Sequence, residues 1–413
     1  MANRVVITGI GMITSLGFEK ETVFKNILNN KMIIEKVPER FKKRYLFKSG
    51  YYVPAPKIDM SEHGVDSGIV NLMEQSARYS VAATKYALED AGLDKEAIRN
   101  ADVIMGLGMN SFETLLNSYL AHLQIKESDF EDIKPIFNRM IVPMLMPNSV
   151  SAWISILYGA GGTNYTLNAS CASGTHAIGE AYRRIKDGYK KIVIAGGSEC
   201  LREKNGAIMR GFDMLLALTQ SQDGHPMPFS NNRSGFLFNE GASCVIILEE
   251  IESAINRGAT IYAEVCDYQS NSDAHNIVQM NEQGDSIKKL LSELSSGKKI
   301  DYLNAHGTGT ILNDRIEAKI IRDVFGDKDS QPLINSTKGI LGHSIGASGA
   351  IEIGVTALSI KNKIVHGNFI TDPIENLNLP LENIEVDINY AISTSYGFGG
   401  HNAGILLKSV GDS

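Results

Sequence analysis

Two stretches of this chain repeat the same small-residue turn leading into a helical pattern. Residues 172–174 (Ala-Ser-Gly) and 178–179 (Ile-Gly) recur as 347–349 and 353–354, at one constant offset. Each turn opens a segment with apolar residues at three- and four-residue spacing, which predicts an amphipathic helix. A repeat over this distance indicates two similar halves whose helix N-termini face a shared centre.

Segments typical of β-strands alternate with these and other helical segments, as expected of a layered α/β protein. The predicted strands are 4–9, 103–108, 191–195, 244–248, 262–267, 302–305, 332–336 and 403–407. The predicted helices are 75–90, 174–186, 314–324 and 350–361. We expect the two halves to comprise residues 1–253 and 254–413. The less regular segment 113–153, rich in Met, Pro and Asn, is expected to cap a site or to form a subunit interface.

The amino-acid composition indicates a globular protein and argues against several other classes. The 413 residues are 43% hydrophobic and 21% charged, which suits a globular chain with two core-forming units. No apolar run approaches the roughly 20 residues that a membrane helix requires, and no signal peptide is expected, so a cytoplasmic protein is predicted. The net charge of −7 argues against nucleic acid as the main partner. The four cysteines lack C-x-x-C or other zinc-type spacing, so neither a disulfide framework nor a metal site is predicted.

Cys171 directly precedes the first repeated helix. The positive end of a helix dipole and the unpaired N–H groups of its first turn favour a thiolate, which predicts a lowered thiol pKa and a nucleophile. A single cysteine is more often a buried structural residue. Cys200, Cys244 and Cys266 adjoin or lie in apolar strand-like runs and are expected to be inert.

Two histidines and a lysine accompany this cysteine. His306 lies in His-Gly-Thr-Gly-Thr (306–310), and Lys338 and His343 lie in one Gly/Ser/Thr-rich loop after a predicted strand. A nucleophile with two imidazoles, each in a loop beside a strand, predicts an acyl-transfer site.

The ordered set of motifs resembles the elongating β-ketoacyl-acyl carrier protein synthases of the thiolase fold, nearly from end to end. The resemblance implies an α/β, thiolase-like five-layer αβαβα fold built from two similar halves, usually in a dimer. The segments that carry it are 5–11, the Cys171 turn, 195–199, 228–229 with 233–236, 240–242, 306–310, 338–343 with Glu352, and 395–402.

The resemblance implies a decarboxylative Claisen condensation in fatty-acid or polyketide/polyene synthesis. An acyl group on Cys171 would react with malonyl-acyl carrier protein to give 3-oxoacyl-acyl carrier protein. His306 and His343 would hold the malonyl thioester and stabilise the enolate left when carbon dioxide departs. Lys338 would orient His343 or its loop, and Glu352 would support that network.

Further roles follow from the same resemblance. The N–H groups of Cys171 and Phe398 would form the oxyanion hole for acyl transfer, and Phe398 would act as a gate over the thiol. Thr308 and Thr310 would bind the pantetheine arm, while Met109 and Gly399 would contact the substrate. No cofactor or metal is implied beyond the phosphopantetheine of acyl carrier protein. The expected partners are that carrier protein and a second copy of the chain, or a chain-length subunit.

Several positions depart from the family pattern, including the following four. Ser230 stands where an aspartate is common, Asn239 replaces a glycine, and His401 replaces a frequent threonine. Val278 occupies the expected position of a threonine, which puts pantetheine or malonyl contacts in question. These changes fit a specialised synthase at least as well as a housekeeping fatty-acid enzyme.

Three related classes of protein fit these residues less well: thiolases, initiating synthases and non-catalytic chain-length subunits. A thiolase needs a second cysteine in the C-terminal half, but none follows Cys266. The initiating synthases pair one histidine with an asparagine, whereas this chain has His306 and His343. A non-catalytic chain-length subunit normally lacks the nucleophile, so Cys171 favours catalysis. The remaining alternative is a ketosynthase subunit that works with, or itself serves as, a chain-length subunit of a type II polyketide synthase.

Overall fold

The computed structural model describes residues 2–123 and 139–411, and within these residues it has the α/β alternation that the sequence predicts. The strands are β1 Val5–Ile13, β2 Glu35–Lys36, β3 Tyr51–Tyr52, β4 Asp102–Gly106, β5 Asn164–Leu167, β6 Ile192–Cys200, β7 Gly241–Glu250, β8 Ala263–Ser272, β9 Tyr302–Asn304, β10 Leu333–Asn335, β11 Ile364–Val365, β12 Ile384–Glu385, β13 Tyr390–Gly397 and β14 His401–Lys408. The helices are α1 Lys20–Leu28, α2 Ser67–Val70, α3 Gln75–Ala91, α4 Glu113–His122, α5 Ile141–Leu145, α6 Ser149–Tyr158, α7 Ser173–Lys186, α8 Ala207–Met214, α9 Ile251–Asn256, α10 Asp285–Ser295, α11 Ile311–Phe325, α12 Lys338–Leu341 and α13 Ser348–Asn362.

The main sheet consists of two five-stranded halves with the same topology. The N-terminal half has the order β5-β4-β6-β7-β1, and the C-terminal half has the order β10-β9-β13-β14-β8. In each half the first three strands are parallel and the last two pair antiparallel. The halves join where β1 pairs antiparallel with β8, from Val5↔Val265 to Ile7↔Ala263. The predicted construction from two similar halves is therefore confirmed.

Helices cover both faces of each half and complete five layers. Helices α3 and α6 lie outside the N-terminal half, and α10 and α11 lie outside the C-terminal half. Helices α7 and α13 lie between the halves, since each contacts strands of both. In α13 every residue from 348 to 360 is buried, as expected of a helix that is apolar on nearly all sides.

The glycines of the repeat allow the two central helices to begin in contact. A Cβ atom on Gly174 would lie 2.8 Å from the backbone nitrogen of Ala350, and one on Gly349 would lie 2.1 Å from Oγ1 of Thr175. Each glycine thus faces the opposite copy of the repeat, where a larger residue would push the helices apart. This close crossing brings the two turns that precede α7 and α13 to one place.

All the predicted strands and helices are present, with end shifts of a few residues. Within the main sheet, the sequence did not predict β5 and β13, and it also missed the two-residue strands β2, β3, β11 and β12. Strand β5 has four residues at a sheet edge, and β13 is rich in Ser, Thr and Gly, which weakens its strand pattern. Of the segment 113–153, residues 124–138 lie outside the described residues, and the rest forms α4, α5 and the start of α6. Across residues 2–123 and 139–411, no helix is long and apolar enough to cross a membrane.

Candidate active site

The turns before α7 and α13 share an unusual backbone conformation. Ser170 has φ of 53° and Ile345 has φ of 47°, at corresponding positions of the repeat. Non-glycine residues seldom occupy this left-handed region, and those that do cluster at functional sites. Cys171 follows Ser170 in a short 3₁₀ turn, which is held by hydrogen bonds from the Ala169 N–H to Oγ of Ser173 and from the Ser170 N–H to Oδ1 of Asn168.

Cys171 lies where two cavities of different character meet. The first, here called the entrance cavity, has a volume of about 350 Å³ and contains His306 and His343 in its wall. The second, here called the apolar cavity, has a volume of about 570 Å³. Cys171 and Phe398 line both. The wall of the apolar cavity is formed mainly by apolar side chains: Met109, Ile208, Phe212, Met214, Leu215 and Ile345.

The predicted lowering of the Cys171 pKa is wrong. Burial raises the pKa of the thiol, although the Ser170 hydroxyl, the Lys338 cation and the Phe398 N–H act in the opposite direction. The helix terminus was visible in the sequence, but the enclosure that desolvates the sulfur depends on both halves of the fold. Cys171 therefore rests as a thiol and must lose its proton when it reacts.

We expect iodoacetamide to modify Cys171 before the other thiols, because it alone among them borders both cavities. Burial also raises the pKa of Cys200 to about 12 and of Cys266 to about 11. The alkylation rate of Cys171 should rise steadily with pH above neutrality, since only the thiolate reacts. Peptide mapping over a pH series checks this. A rate that is already constant below pH 7, or earlier modification of Cys266, would contradict it.

His306 and His343 form a buried pair of neutral imidazoles. Their ring centroids are 5.7 Å apart and their planes are nearly perpendicular. Burial, followed by the charge of Lys338, lowers the pKa of both rings well below the ordinary histidine value. Oγ of Ser348 lies 2.9 Å from Nδ1 of His343 and accepts the N–H of Ser344 at 3.0 Å. If the Ser348 hydroxyl donates to Nδ1, the proton of the neutral His343 ring lies on Nε2.

Lys338 is buried and joins the two histidine loops. Its Nζ atom lies 2.5 Å from Oε1 of Glu352 and donates to the carbonyl of His306 at 2.8 Å. Burial raises the pKa of Glu352 to about 7, and Lys338 opposes that rise. The resemblance implied that Lys338 orients His343 or its loop, but its hydrogen bond is to the backbone of the His306 loop.

Two further buried carboxylates hold the loops of the site, and their roles were not predicted. Glu317 of α11 accepts the N–H groups of His306 at 2.9 Å and Gly307 at 2.8 Å. Glu199, at the end of β6, accepts those of Gly108 at 2.9 Å and Gly346 at 3.0 Å. Burial raises the pKa of Glu317 to about 7 and of Glu199 to about 8. The sequence signal was weak, since Glu199 stood within a recognised motif without a role.

The other predicted residues divide between the cavities and their surroundings. Thr308 and Thr310 line the entrance cavity, with their Oγ1 atoms 2.9 Å apart. Met109 lines the apolar cavity. Gly399, with φ of 84°, follows Phe398 and donates its N–H to the carbonyl of Ile277, but it lies behind the cavity walls rather than in them.

The four departures have distinct structural settings. Ser230 is buried and donates from Oγ to the carbonyl of Thr371 at 2.6 Å, and Asn239 donates to the carbonyl of Leu341 at 2.8 Å. These two residues support loops. Val278 lines the entrance cavity, where it presents methyl groups instead of a hydroxyl. His401 is exposed and outside both cavities.

Fold and site together define a condensing enzyme of the thiolase-like class. The model of the β-ketoacyl synthase N-terminal domain matches residues 2–253, and that of the C-terminal domain matches residues 262–370. The chain belongs to the β-ketoacyl synthase family. It is thus an acyltransferase that forms 3-oxoacyl-acyl carrier protein, and enzymes of this family need no cofactor beyond substrates carried on acyl carrier protein.

Similar proteins agree with this assignment over the whole chain. The chain is 33% identical over 418 residues to 3-oxoacyl-[acyl-carrier-protein] synthase 2 of Staphylococcus aureus (strain COL), with 98% of each protein covered. Among solved structures, it resembles the ishigamide ketosynthase/chain length factor, with TM-score 0.84, 27% identity and full coverage of both chains. It also resembles a type II polyketide synthase ketosynthase solved in complex with its acyl carrier protein, with TM-score 0.84, 26% identity and coverage of 99% and 100%.

Proposed function

We propose that Cys171 carries the growing acyl chain and that His306 and His343 activate the malonyl extender. The observation that carries this proposal is the position of Cys171 at the junction of an apolar cavity and a cavity that contains two neutral imidazoles. An acyl chain on the sulfur would lie in the apolar cavity, which removes its hydrocarbon surface from water. The entrance cavity would then be free for the second, malonyl-bearing arm.

The first half-reaction is a thioester exchange. The Cys171 sulfur attacks the thioester carbonyl of acyl carrier protein, and the carrier's pantetheine sulfur leaves. Because the thiol is protonated at rest, its proton is transferred to the leaving sulfur as the new carbon–sulfur bond forms, so that one thiol is consumed and one released. The N–H groups of Cys171 and Phe398 stabilise the tetrahedral oxyanion.

The second half-reaction makes the carbon–carbon bond. The malonyl carboxylate leaves as carbon dioxide, and its electron pair forms an enolate whose oxygen accepts hydrogen bonds from His306 and His343. The enolate carbon attacks the Cys171 thioester, and the sulfur leaves as a thiolate that takes up one proton from solvent. Neutral imidazoles suit this task, because a donor pair that is already in place stabilises the charge as it develops.

The remaining residues position these groups. Lys338 and Glu317 fix the backbone of the His306 loop, and Glu352 pairs with Lys338. Thr308 and Thr310 would hydrogen-bond the pantetheine arm along the entrance cavity. Met109 would contact the acyl chain, and Gly399 would give the backbone beside Phe398 room to move.

Phe398→Ala should slow acylation of Cys171 at least about tenfold while the melting temperature changes little, because the half-buried Phe398 lines both cavities beside the sulfur and its ring would order the site. Stopped-flow or quenched acylation by acyl carrier protein, compared with thermal unfolding, checks this. Phe398→Leu is the matched control and should retain most of the rate. Equal acylation by the alanine variant and the wild type would remove Phe398 from the mechanism.

We propose a homodimer formed through α4 to α6 and the edge strand β5. This region carries a cluster of exposed apolar side chains: Phe112, Tyr119, Leu120, Leu123, Val142, Met146 and Ile156. Patches of this kind favour association between subunits. The similarity to a ketosynthase/chain length factor supports a heterodimer as the second candidate. Native mass spectrometry of the purified chain, with and without its co-purifying proteins, distinguishes the two.

We further propose a division into halves at residues 1–253 and 254–413, supported by family models that end at 253 and resume at 262. The boundary falls in α9, the short helix between β7 and β8.

The four free thiols support a cytoplasmic enzyme.

Intact-mass analysis of the chain after incubation with a panel of acyl carrier proteins tests the proposed function. Hydrocarbon acyl groups should load onto the protein as thioesters, because the wall of the apolar cavity offers almost no polar partner. A chain that accepts no acyl group from any carrier in the panel would contradict the proposal.

A further inference from the structure

The mouth of the entrance cavity is surrounded by exposed apolar side chains. Leu215, Leu216, Val278 and Ile311 line this cavity and yet are 51%, 56%, 37% and 63% exposed, so they lie where the cavity meets solvent. Ile277, next to Val278, is 78% exposed. These five residues, here called the apolar rim, come from the end of α8, the loop after β8 and the start of α11.

Single exposed apolar side chains are common on protein surfaces, whereas several at one place mark an interaction site. Two arginines near the apolar rim have partners within the chain. Arg315 pairs with Glu282 at 3.1 Å, and the largely buried Arg233 donates to backbone carbonyls of Ser230 and Ile311. At the mouth, the five rim residues therefore present aliphatic side chains, and neither of these two guanidinium groups is unpaired.

The apolar rim lies on the path of the substrate arm. In the proposed function, on which this inference rests, the reacting thioester lies at Cys171 and the pantetheine arm leaves past Thr308 and Thr310. The carrier protein attached to the other end of that arm must then be seated at the mouth of the entrance cavity. The part of its surface beside the modified serine would contact the apolar rim.

We propose that the apolar rim is the docking surface for acyl carrier protein and that docking is dominated by apolar contact. The matching face of the cognate carrier should expose aliphatic side chains next to its phosphopantetheine attachment site. Burial of apolar surface depends weakly on ionic strength, whereas association between opposite charges weakens steeply with salt.

Ile277 is the best position for a test, because it is the most exposed residue of the rim and does not line either cavity. Ile277→Ser should raise the KM for acyl carrier protein by about five- to tenfold, and Ile277→Lys at least as much. The matched controls are Ile255→Ser and Ile255→Lys on α9, since Ile255 is also about half exposed, and these should stay within about twofold of wild type.

Three further readouts complete the experiment. Acylation by an acyl-pantetheine thioester, which has no carrier protein, should be unchanged in Ile277→Ser. The wild-type KM for acyl carrier protein should change by less than about twofold between roughly 50 and 500 mM NaCl. The native mass of the variant should equal that of the wild type.

An unchanged KM in both Ile277 variants would overturn the docking surface. A lower KM in Ile277→Lys, together with strong salt dependence, would show that docking is ionic instead. A changed oligomeric state would identify the rim as a contact between copies of the chain. Failure of the proposed function would look different, because wild type itself would then not be acylated by any carrier.

Discussion

Cys171→Gln should stop condensation completely while decarboxylation of malonyl-acyl carrier protein continues. The amide has no sulfur to carry a thioester, yet it can occupy the position of the acylated side chain beside an intact pair of imidazoles. Carbon dioxide release and 3-oxoacyl product are measured in parallel. Loss of both activities together would show that decarboxylation depends on the thiol itself.

His306→Ala and His343→Ala should have the opposite effect. Each variant should retain some acylation of Cys171 but lose decarboxylation by about 10²- to 10³-fold, because each removes a donor from the developing enolate. His63→Ala is the matched control, since His63 is a buried imidazole that packs against Tyr86 of α3, outside both cavities. Decarboxylation at the wild-type rate in either active-site variant would refute the assignment of two histidines.

Lys338→Met should destabilise the fold and impair decarboxylation together. Methionine keeps much of the side-chain volume but leaves the Glu352 carboxylate buried without its cation, a change that typically costs about 3–5 kcal/mol. It also frees the backbone carbonyl of His306. Chemical unfolding and carbon dioxide release measure the two effects. Wild-type stability would show that the buried ion pair contributes nothing to the fold.

The pH dependence of the free energy of unfolding distinguishes the electrostatic contribution of Lys338 from its packing contribution. Burial already raises the pKa of Glu352 to about 7, and loss of Lys338 should raise it further. A carboxyl whose pKa is higher in the folded state than in the unfolded state loses stability as pH rises above the unfolded value of about 4.3. In Lys338→Met this loss should continue to higher pH than in wild type. The double variant Lys338→Met/Glu352→Gln should not show this loss of stability with rising pH. The same pH dependence in the double variant would assign the loss to another group.

The two-half architecture was predictable because its signal is local. The residues that must be small, such as Gly174 and Gly349, repeat in the sequence next to a helix start, and both glycines face the opposite helix in the structure. Cys171, His306 and His343 were predictable for a related reason: each lies in a small-residue loop between a strand and a helix, where loops of an α/β fold converge.

What could not be predicted depends on contacts between distant segments. Glu199 binds backbone N–H groups at Gly108 and Gly346, which no local pattern connects. The thiol pKa was predicted in the wrong direction because a helix terminus is visible in sequence, whereas the burial of the sulfur in the folded chain is not. The apolar rim likewise forms only when α8, the loop after β8 and α11 meet.

The most direct test of the whole account follows one acyl group through the enzyme. The chain is incubated with acyl carrier protein, quenched before or after addition of malonyl-acyl carrier protein, and mapped by tandem mass spectrometry. We expect the acyl thioester on the Cys171 peptide alone before addition. After addition it should disappear in step with one carbon dioxide and one 3-oxoacyl-acyl carrier protein, two carbons longer. An acyl group on another residue, or product formed while the Cys171 thioester persists, would contradict the account.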